Sequence, residues 1–397
     1  DELNRYLAGD YNIELDKKGS LSKWLRSHQP FHWFVEFYGI MRGSGFDVII
    51  GNPPYVEYSK VKDTYQVLDY STEDAGNIYT LVLERAIALS GGSSRIGMIV
   101  PSGGFSTARM RSYQDLMCSA FDLSHVSFFS GDANPSRLFE GVKYRLAIFL
   151  GRKGTEATAR YTTKYIKWYA AERTNLFSRV AYERCSFQTG YLRFAKLGDA
   201  AAAGIAEKLA STAPILATYL RKSTSHTLHY HRSPVSWIRA MDFQPYFKSA
   251  TRTRSEDHLR DLHVESEGLR KAVGAILNST HFFFWFITQG TCRDIAGPDV
   301  ESFPVGDLRE VAPLLGPIFS DLMTDLKAKS RTRVYHYKAS GRVEYQEFYP
   351  GRSKQIIDKI DKAMARGLGL VESELDFILN FDIKYRMGSD TEHEDEQ

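Results

Sequence analysis

Four consecutive residues, Asn52, Pro53, Pro54 and Tyr55, place an amide, two rigid prolines and a phenol directly after the apolar run 46–50. That run is rich in branched residues and predicts a buried strand. Proline lacks a backbone N–H and has a fixed φ, so the pair cannot continue a central strand. Asn52 and Tyr55 therefore stand on a stiff turn at the carboxyl end of a strand, where open α/β sheets bind ligands. The alternative is a plain strand-to-loop turn that happens to contain two prolines.

The elements around this turn alternate between helix and strand. Residues 77–89 predict a buried helix with Asn77 as its N-cap, and residues 95–100 predict a second strand that also ends in proline. A helix over 106–121 and strands over 126–129 and 144–150 follow. This alternation predicts an α/β fold.

The tetrapeptide resembles the catalytic motif of amino methyltransferases that use S-adenosylmethionine, best known in the DNA adenine-N6 enzymes. The aromatic run 31–38 ahead of it resembles the methylase half of type IIG restriction-modification enzymes. The order of strands and helices is similar to the second half of an adenine methyltransferase domain, whose last strand is antiparallel. The resemblance implies a partial Rossmann-like class I methyltransferase domain, the C-terminal half of its sheet, followed by an α+β target-recognition domain and C-terminal helices.

The resemblance also implies roles for single residues. The Asn52 side-chain oxygen and the Pro53 carbonyl would each accept one N–H of an exocyclic amine, on the corner that Pro54 stiffens. Tyr55 would stack on an adenine flipped out of the duplex. Phe139, just ahead of the last strand, would pack on the other face of that base, and its alternative is a core aromatic. The motif would thus act by positioning and hydrogen bonding, with no covalent enzyme intermediate.

The same resemblance divides the chain into four parts. Residues 1–150 would be the C-terminal part of the catalytic domain, and 151–307 the target-recognition domain that binds DNA. Residues 308–388 would form a helical C-terminal segment, and 389–397 an acidic tail.

Composition limits the class of protein. The 397 residues are 43% hydrophobic and 25% charged, which is ordinary for a globular protein. There is no apolar run of transmembrane length and no secretory signal. Three isolated cysteines predict a reducing compartment, hence a cytoplasmic protein without structural zinc, and the histidines at 226, 229 and 231 fit no standard metal motif. Between 140 and 260, 21 Lys and Arg outnumber 9 Asp and Glu, which would suit double-stranded DNA as a partner.

The sequence ahead of residue 52 contains no glycine-rich turn of the kind that binds S-adenosylmethionine, so the cofactor-binding residues are unknown. We therefore expect this chain to be the C-terminal part of a longer polypeptide whose upstream portion carries the cofactor site and any nuclease, and to be inactive alone. Two alternatives stay open. One is a DNA-binding module without catalysis. The other is a methyltransferase for protein glutamine or another amine, although such enzymes lack a long C-terminal extension.

Overall fold

The structure is a computed structural model that describes residues 2–132, 137–139, 142–156, 158–190, 192–234, 236–254, 258–337 and 341–387. It divides into two compact units. The first unit comprises residues 1–104, 108–126 and 146–160, and the second comprises 105–107, 127–145 and 161–397.

The helices of the described residues are α1 (Glu2–Asp10), α2 (Ser20–His28), α3 (Trp33–Glu36), α4 (Tyr38–Arg42), α5 (Ile78–Leu89), α6 (Arg111–Ala120), α7 (Ala200–Ser211), α8 (Glu267–Asn278), α9 (Thr280–Gln289), α10 (Gly297–Glu301), α11 (Leu308–Lys329), α12 (Lys354–Gly367), α13 (Glu372–Leu379) and α14 (Ile383–Met387). The strands are β1 (Phe46–Gly51), β2 (Ser90–Pro101), β3 (Phe121–Phe129), β4 (Leu146–Lys153), β5 (Ala159–Ile166), β6 (Glu183–Arg184), β7 (Leu220–Arg221), β8 (Thr227–His231), β9 (Ala240–Met241), β10 (Phe247–Lys248), β11 (Leu259–Val264), β12 (Arg331–Tyr337) and β13 (Gly341–Glu347).

In the first unit, β1 and β2 are parallel and α5 connects them, as expected of a β-α-β unit. Strand β4 pairs antiparallel with β2, from Arg95 opposite Arg152 to Pro101 opposite Leu146. The sheet order is β1-β2-β4-β3-β5-β6, and the unit boundary runs through β3 and β5. The α/β prediction and the antiparallel last strand are confirmed. The finer assignment to a partial Rossmann-like methyltransferase domain stays a prediction.

Strand β1 was predicted to be buried, and this is wrong for the described residues. It occupies the end of the sheet order, so one of its edges has no described strand beside it. Val48 is 60% exposed and Ile50 is 79% exposed. An apolar run shows that a segment suits a sheet, but its burial depends on which elements cover it. At the start of β1, the Phe46 ring packs against the rings of Trp33 and Phe37.

The second unit is centred on helices. Helix α9 is buried along its whole length, and α8 packs against α11. The buried Asp361 carboxylate on α12 accepts a bond from the backbone N–H of Thr280 at the start of α9 (2.7 Å). Two small sheets flank these helices, in the orders β7-β11-β8-β9 and β10-β13-β12.

Comparison with the structure has a different outcome for each of three expectations about the chain's organisation. The segment 308–388 is not wholly helical, because strands β12 and β13 interrupt it. The acidic tail 389–397 lies outside the described residues. The predicted domain boundary after residue 150 falls within β4, and the domain boundaries stay a prediction. Within the described residues, no helix combines the length and apolarity that crossing a membrane requires.

Candidate functional site

The predicted turn follows β1 directly. Gly51 ends the strand opposite Met98 of β2, and Asn52 is the next residue. Asn52 and Pro54 are exposed, Pro53 is buried and Tyr55 is half-buried. The amide and the phenol therefore stay accessible, while the first proline anchors the turn in the protein.

The Tyr55 hydroxyl lies beside the Asn52 amide. It is 2.7 Å from Asn52 Oδ1 and 3.1 Å from the carbonyl oxygen of Ile99 on β2, and its one proton is donated to one of them at a time. The edge of the Tyr79 ring on α5 meets the Tyr55 ring, with 6.5 Å between centroids and 87° between planes. Partial burial raises the pKa of the Tyr55 phenol, so it remains a neutral donor. The turn, β2 and α5 together fix the orientation of this ring.

The chain leaving Tyr55 is held by a pair that the sequence did not reveal. The Glu57 carboxylate accepts two bonds from the Arg109 guanidinium, at 2.9 and 3.0 Å, and one from the Asn77 side-chain amide at 3.2 Å. The bonds from Arg109 are the main cause that holds the pKa of Glu57 below its usual range. Because 52 residues separate Glu57 from Arg109, no local pattern could have predicted their contact. We call this contact the Glu57–Arg109 pair.

Backbone bonds support the same connection. The N–H of Ile78, at the start of α5, donates to the Val56 carbonyl (2.9 Å), and the N–H of Tyr58 donates to the Gly76 carbonyl (2.9 Å). The segment after the motif is thus fastened to the start of α5 on both sides of Glu57.

Phe139 belongs to the second unit, so the structure describes it only in its own surroundings. Its side chain is 40% exposed, which favours a surface role over the core aromatic that was its alternative. The Arg173 guanidinium donates to the carbonyls of Arg137 (2.9 Å) and Leu138 (2.7 Å), just before it. The role of Phe139 in base binding stays a prediction.

The described residues contain no group of three or more His, Cys, Asp or Glu side chains that could hold a metal ion. His229 instead lies on β8 with its Nδ1 2.7 Å from Asp261 on β11, and Arg254 pairs with the same carboxylate. Other cations of the predicted basic region also pair with carboxylates of the protein, namely Arg152, Arg179, Lys208 and Arg221.

Two of the glycines that follow the motif have structural roles in the sheet and in side-chain packing. Gly91 lies inside β2. At Gly104, a Cβ atom would lie 3.1 Å from the Tyr79 hydroxyl and 3.2 Å from the Tyr113 ring, so the lack of a side chain permits close packing. No residue of this site is assigned to a cofactor.

A protein-family model matches the part of the chain that contains the motif. Residues 4–135 match the model of the Eco57I restriction-modification methylase family. A protein of Methanocaldococcus jannaschii, named as a type II restriction enzyme and methyltransferase, is 31% identical over 74 residues. Those residues are 19% of this chain and only 6% of that protein. The range of the family match includes the turn at residues 52–55.

Two solved structures align with most of the chain. The alignment with the type IIL restriction-modification enzyme MmeI, in complex with DNA, covers 86% of this chain and 57% of the MmeI chain, at 11% identity and a TM-score of 0.45. The type IIG restriction endonuclease BpuSI covers 88% of this chain and 55% of its own, at 10% identity and a TM-score of 0.30.

Proposed function

We propose that this chain is the base-binding and DNA-recognition part of an adenine-specific N6 DNA methyltransferase of a restriction-modification or phage-defence system. One observation carries the proposal: the exposed Asn52 amide, with the Tyr55 phenol held beside it, lies at the end of a strand within the range that matches the methylase family. The activity belongs to the whole protein, with S-adenosylmethionine as the methyl donor.

The proposed role of the turn follows from the chemistry of an exocyclic amine. The lone pair of such a nitrogen is delocalised into the ring, which makes it a poor nucleophile. If Asn52 Oδ1 and the Pro53 carbonyl each accept one N–H, the nitrogen is drawn out of the ring plane and its lone pair is localised. An amide oxygen has two acceptor positions, so the bond from Tyr55 leaves one for the substrate.

Tyr55 would hold the flipped base. Its ring is partly exposed and already oriented by Tyr79 and by its hydroxyl bonds, so little conformational entropy is lost when a base stacks on it. Stacking on an aromatic side chain contributes about 1–3 kcal/mol per base. Phe139, exposed on the second unit, is the proposed partner for the other face.

This sequence lacks the usual binding site for the methyl donor. S-adenosylmethionine supplies an electrophilic methyl group when bound, and its usual glycine-rich turn has no counterpart here. The packing glycine at 104 and the strand glycine at 91 do not replace it. We therefore propose that residues outside these 397 bind the donor, and we expect the chain alone to incorporate no label from S-adenosylmethionine into DNA.

A second candidate function, DNA binding without catalysis, is favoured by that missing donor site. A gel-shift titration of the whole protein that contains this chain against salt, with and without the cofactor, distinguishes the two. Binding that the cofactor strengthens supports a usable donor site, whereas salt-sensitive binding indifferent to the cofactor supports the second candidate. An absence of DNA affinity would favour the protein-glutamine or other amine substrate.

Asn52→Ala tests the proposed chemistry. In cells that carry the gene containing this chain, the substitution should abolish N6-methyladenine, measured by mass spectrometry of digested DNA, while duplex affinity stays nearly unchanged. Ser59→Ala is the matched control, because Ser59 is an exposed neighbour outside the motif. Methylation that survives Asn52→Ala would remove Asn52 from the mechanism.

A further inference from the structure

Three arginines surround one phenol at the base of the ribbon formed by β12 and β13. The guanidinium carbons of Arg352 and Arg331 lie 4.5 and 5.9 Å from the centre of the Tyr349 ring. Arg333 donates to the Tyr349 hydroxyl (3.2 Å) and pairs with the Glu347 carboxylate (2.8 Å). We call these three arginines with Tyr349 the arginine cluster.

Lys and Arg outnumber Glu in the sequence around the arginine cluster. Residues 327–354 contain eight Lys and Arg against two Glu, an excess outside the basic region noted between 140 and 260. Four of the eight form ion pairs within the protein: Lys329, Arg333, Arg342 and Lys354. The Arg239 guanidinium interacts electrostatically with the Glu347 carboxylate, and burial lowers the pKa of Arg239. Guanidinium groups repel one another, so a site that gathers them favours an anion.

The ribbon itself suits a nucleic-acid groove. Strands β12 and β13 pair antiparallel from Arg331 opposite Glu347 to Tyr337 opposite Gly341, and the described side chains of β12 are exposed along the strand. The rings of Tyr335 and Tyr345 stack across the two strands, 5.8 Å apart and 10° from parallel, which stiffens the ribbon. Strand β10 pairs with the other edge of β13 at Tyr345 and Glu344, so among the described residues the ribbon is two-stranded beyond Glu344. The major groove of B-DNA is about 12 Å wide and admits a two-stranded ribbon.

We propose that the arginine cluster binds a backbone phosphate of double-stranded DNA and that the β12–β13 ribbon enters the adjacent groove. This inference rests on the proposed function and adds to it a DNA contact outside residues 151–307. Planar guanidinium groups offer paired N–H donors that match phosphate oxygens, and phosphate contacts set the position of a protein on the duplex.

The test is fluorescence anisotropy of a labelled duplex titrated with the full chain at several salt concentrations. Arg331→Gln, Arg333→Gln and Arg352→Gln should each weaken binding about 5- to 10-fold at 0.1 M salt and reduce the slope of log K against log salt by about 1. Arg331→Lys should keep the slope, because it keeps the charge. Arg366→Gln is the matched control: this exposed arginine lies in the last turn of α12, outside residues 151–307 and at the other end of the helix from Arg352, and its loss should leave the slope unchanged.

The outcomes separate the two proposals. If the wild-type chain binds duplex and the three glutamine variants retain the wild-type slope while their circular dichroism is native, the arginine cluster is not a phosphate site and the proposed function is untouched. If the wild-type chain binds no duplex at all, both proposals fail. A slope reduced equally by Arg366→Gln would also overturn the assignment, because the effect would not be specific to the cluster.

Discussion

Removing the Glu57–Arg109 pair should loosen the segment after Tyr55 without unfolding the protein. In Glu57→Gln the carboxylate charge is lost while the side chain keeps its size. The Arg109 guanidinium then loses a bidentate partner at 2.9 and 3.0 Å. The backbone bonds from Ile78 to Val56 and from Tyr58 to Gly76 lie on either side of this contact, so their amides report the loss.

The magnitude follows from exposure. The Arg109 side chain is 51% exposed and the Glu57 side chain 40%, so solvent screens the pair. Exposed pairs contribute about 0.2–1 kcal/mol, and bidentate geometry places this pair in the upper half of that range. Since about 1.4 kcal/mol is tenfold in an equilibrium, loss of about 0.5–1 kcal/mol should speed local exchange of the two amides about 2- to 5-fold.

Hydrogen exchange of the full chain, with Glu57→Gln, Arg109→Gln and the double variant, measures this coupling as a cycle. The bonds from Arg109 hold the pKa of Glu57 below its ordinary value of 4.5, so the stabilisation is present above that value and lost as pH falls through the folded pKa. The coupling should therefore disappear in acid. Lys17 and Glu14 are the control, because they lie 3.6 Å apart and are about three-quarters exposed. A coupling no larger than theirs, or one that persists in acid, would refute the reasoning.

Three further predictions concern other parts of the chain. Burial raises the pKa of Asp299 from 3.8 to about 6. The contribution of this carboxyl group to stability is therefore complete below pH 4 and is lost as the pH rises through 6. Asp299→Asn should raise the midpoint of thermal unfolding at pH 7.5 and leave it unchanged at pH 4. Lys196→Met should destabilise the chain by about 1–3 kcal/mol in urea unfolding, because the Gly290 carbonyl loses its buried donor at 2.7 Å. The apolar side chains of Val48 and Ile50 are exposed on an end strand, so we expect the chain to self-associate through them. Replacing both by Thr should reduce this self-association, measured by sedimentation velocity. Unchanged association would place the contact between copies elsewhere.

Local signals in the sequence predicted the elements around the turn. The branched run 46–50 with its prolines, and the apolar helix after Asn77, correspond to β1 and α5, although the Asn77 side chain bonds Glu57 and does not cap the helix. The exposed edge of β1 could not be predicted, because exposure depends on neighbours that the run does not specify. The same holds for the Glu57–Arg109 pair, which joins distant parts of the chain.

The β12–β13 ribbon was missed for a different reason. Polar and apolar residues alternate in its second strand from Arg342 to Gln346, and a Gly at 341 follows Lys338, Ala339 and Ser340, a pattern typical of a hairpin. The periodic helices on both sides, α11 and α12, obscured this shorter signal. An alternation of five to seven residues gives weaker evidence than a helix of 22 residues.

The alternation of the two units along the chain has a consequence for its evolution. Because residues 105–107 and 127–145 belong to the second unit while 108–126 and 146–160 belong to the first, one crossover between relatives that falls after the first unit still divides the second. A hybrid joined after residue 150 would combine two parental halves within a single strand, β4. Successful chimaeras should therefore be joined beyond residue 166, where β5 has ended and the first unit is inherited whole from one parent.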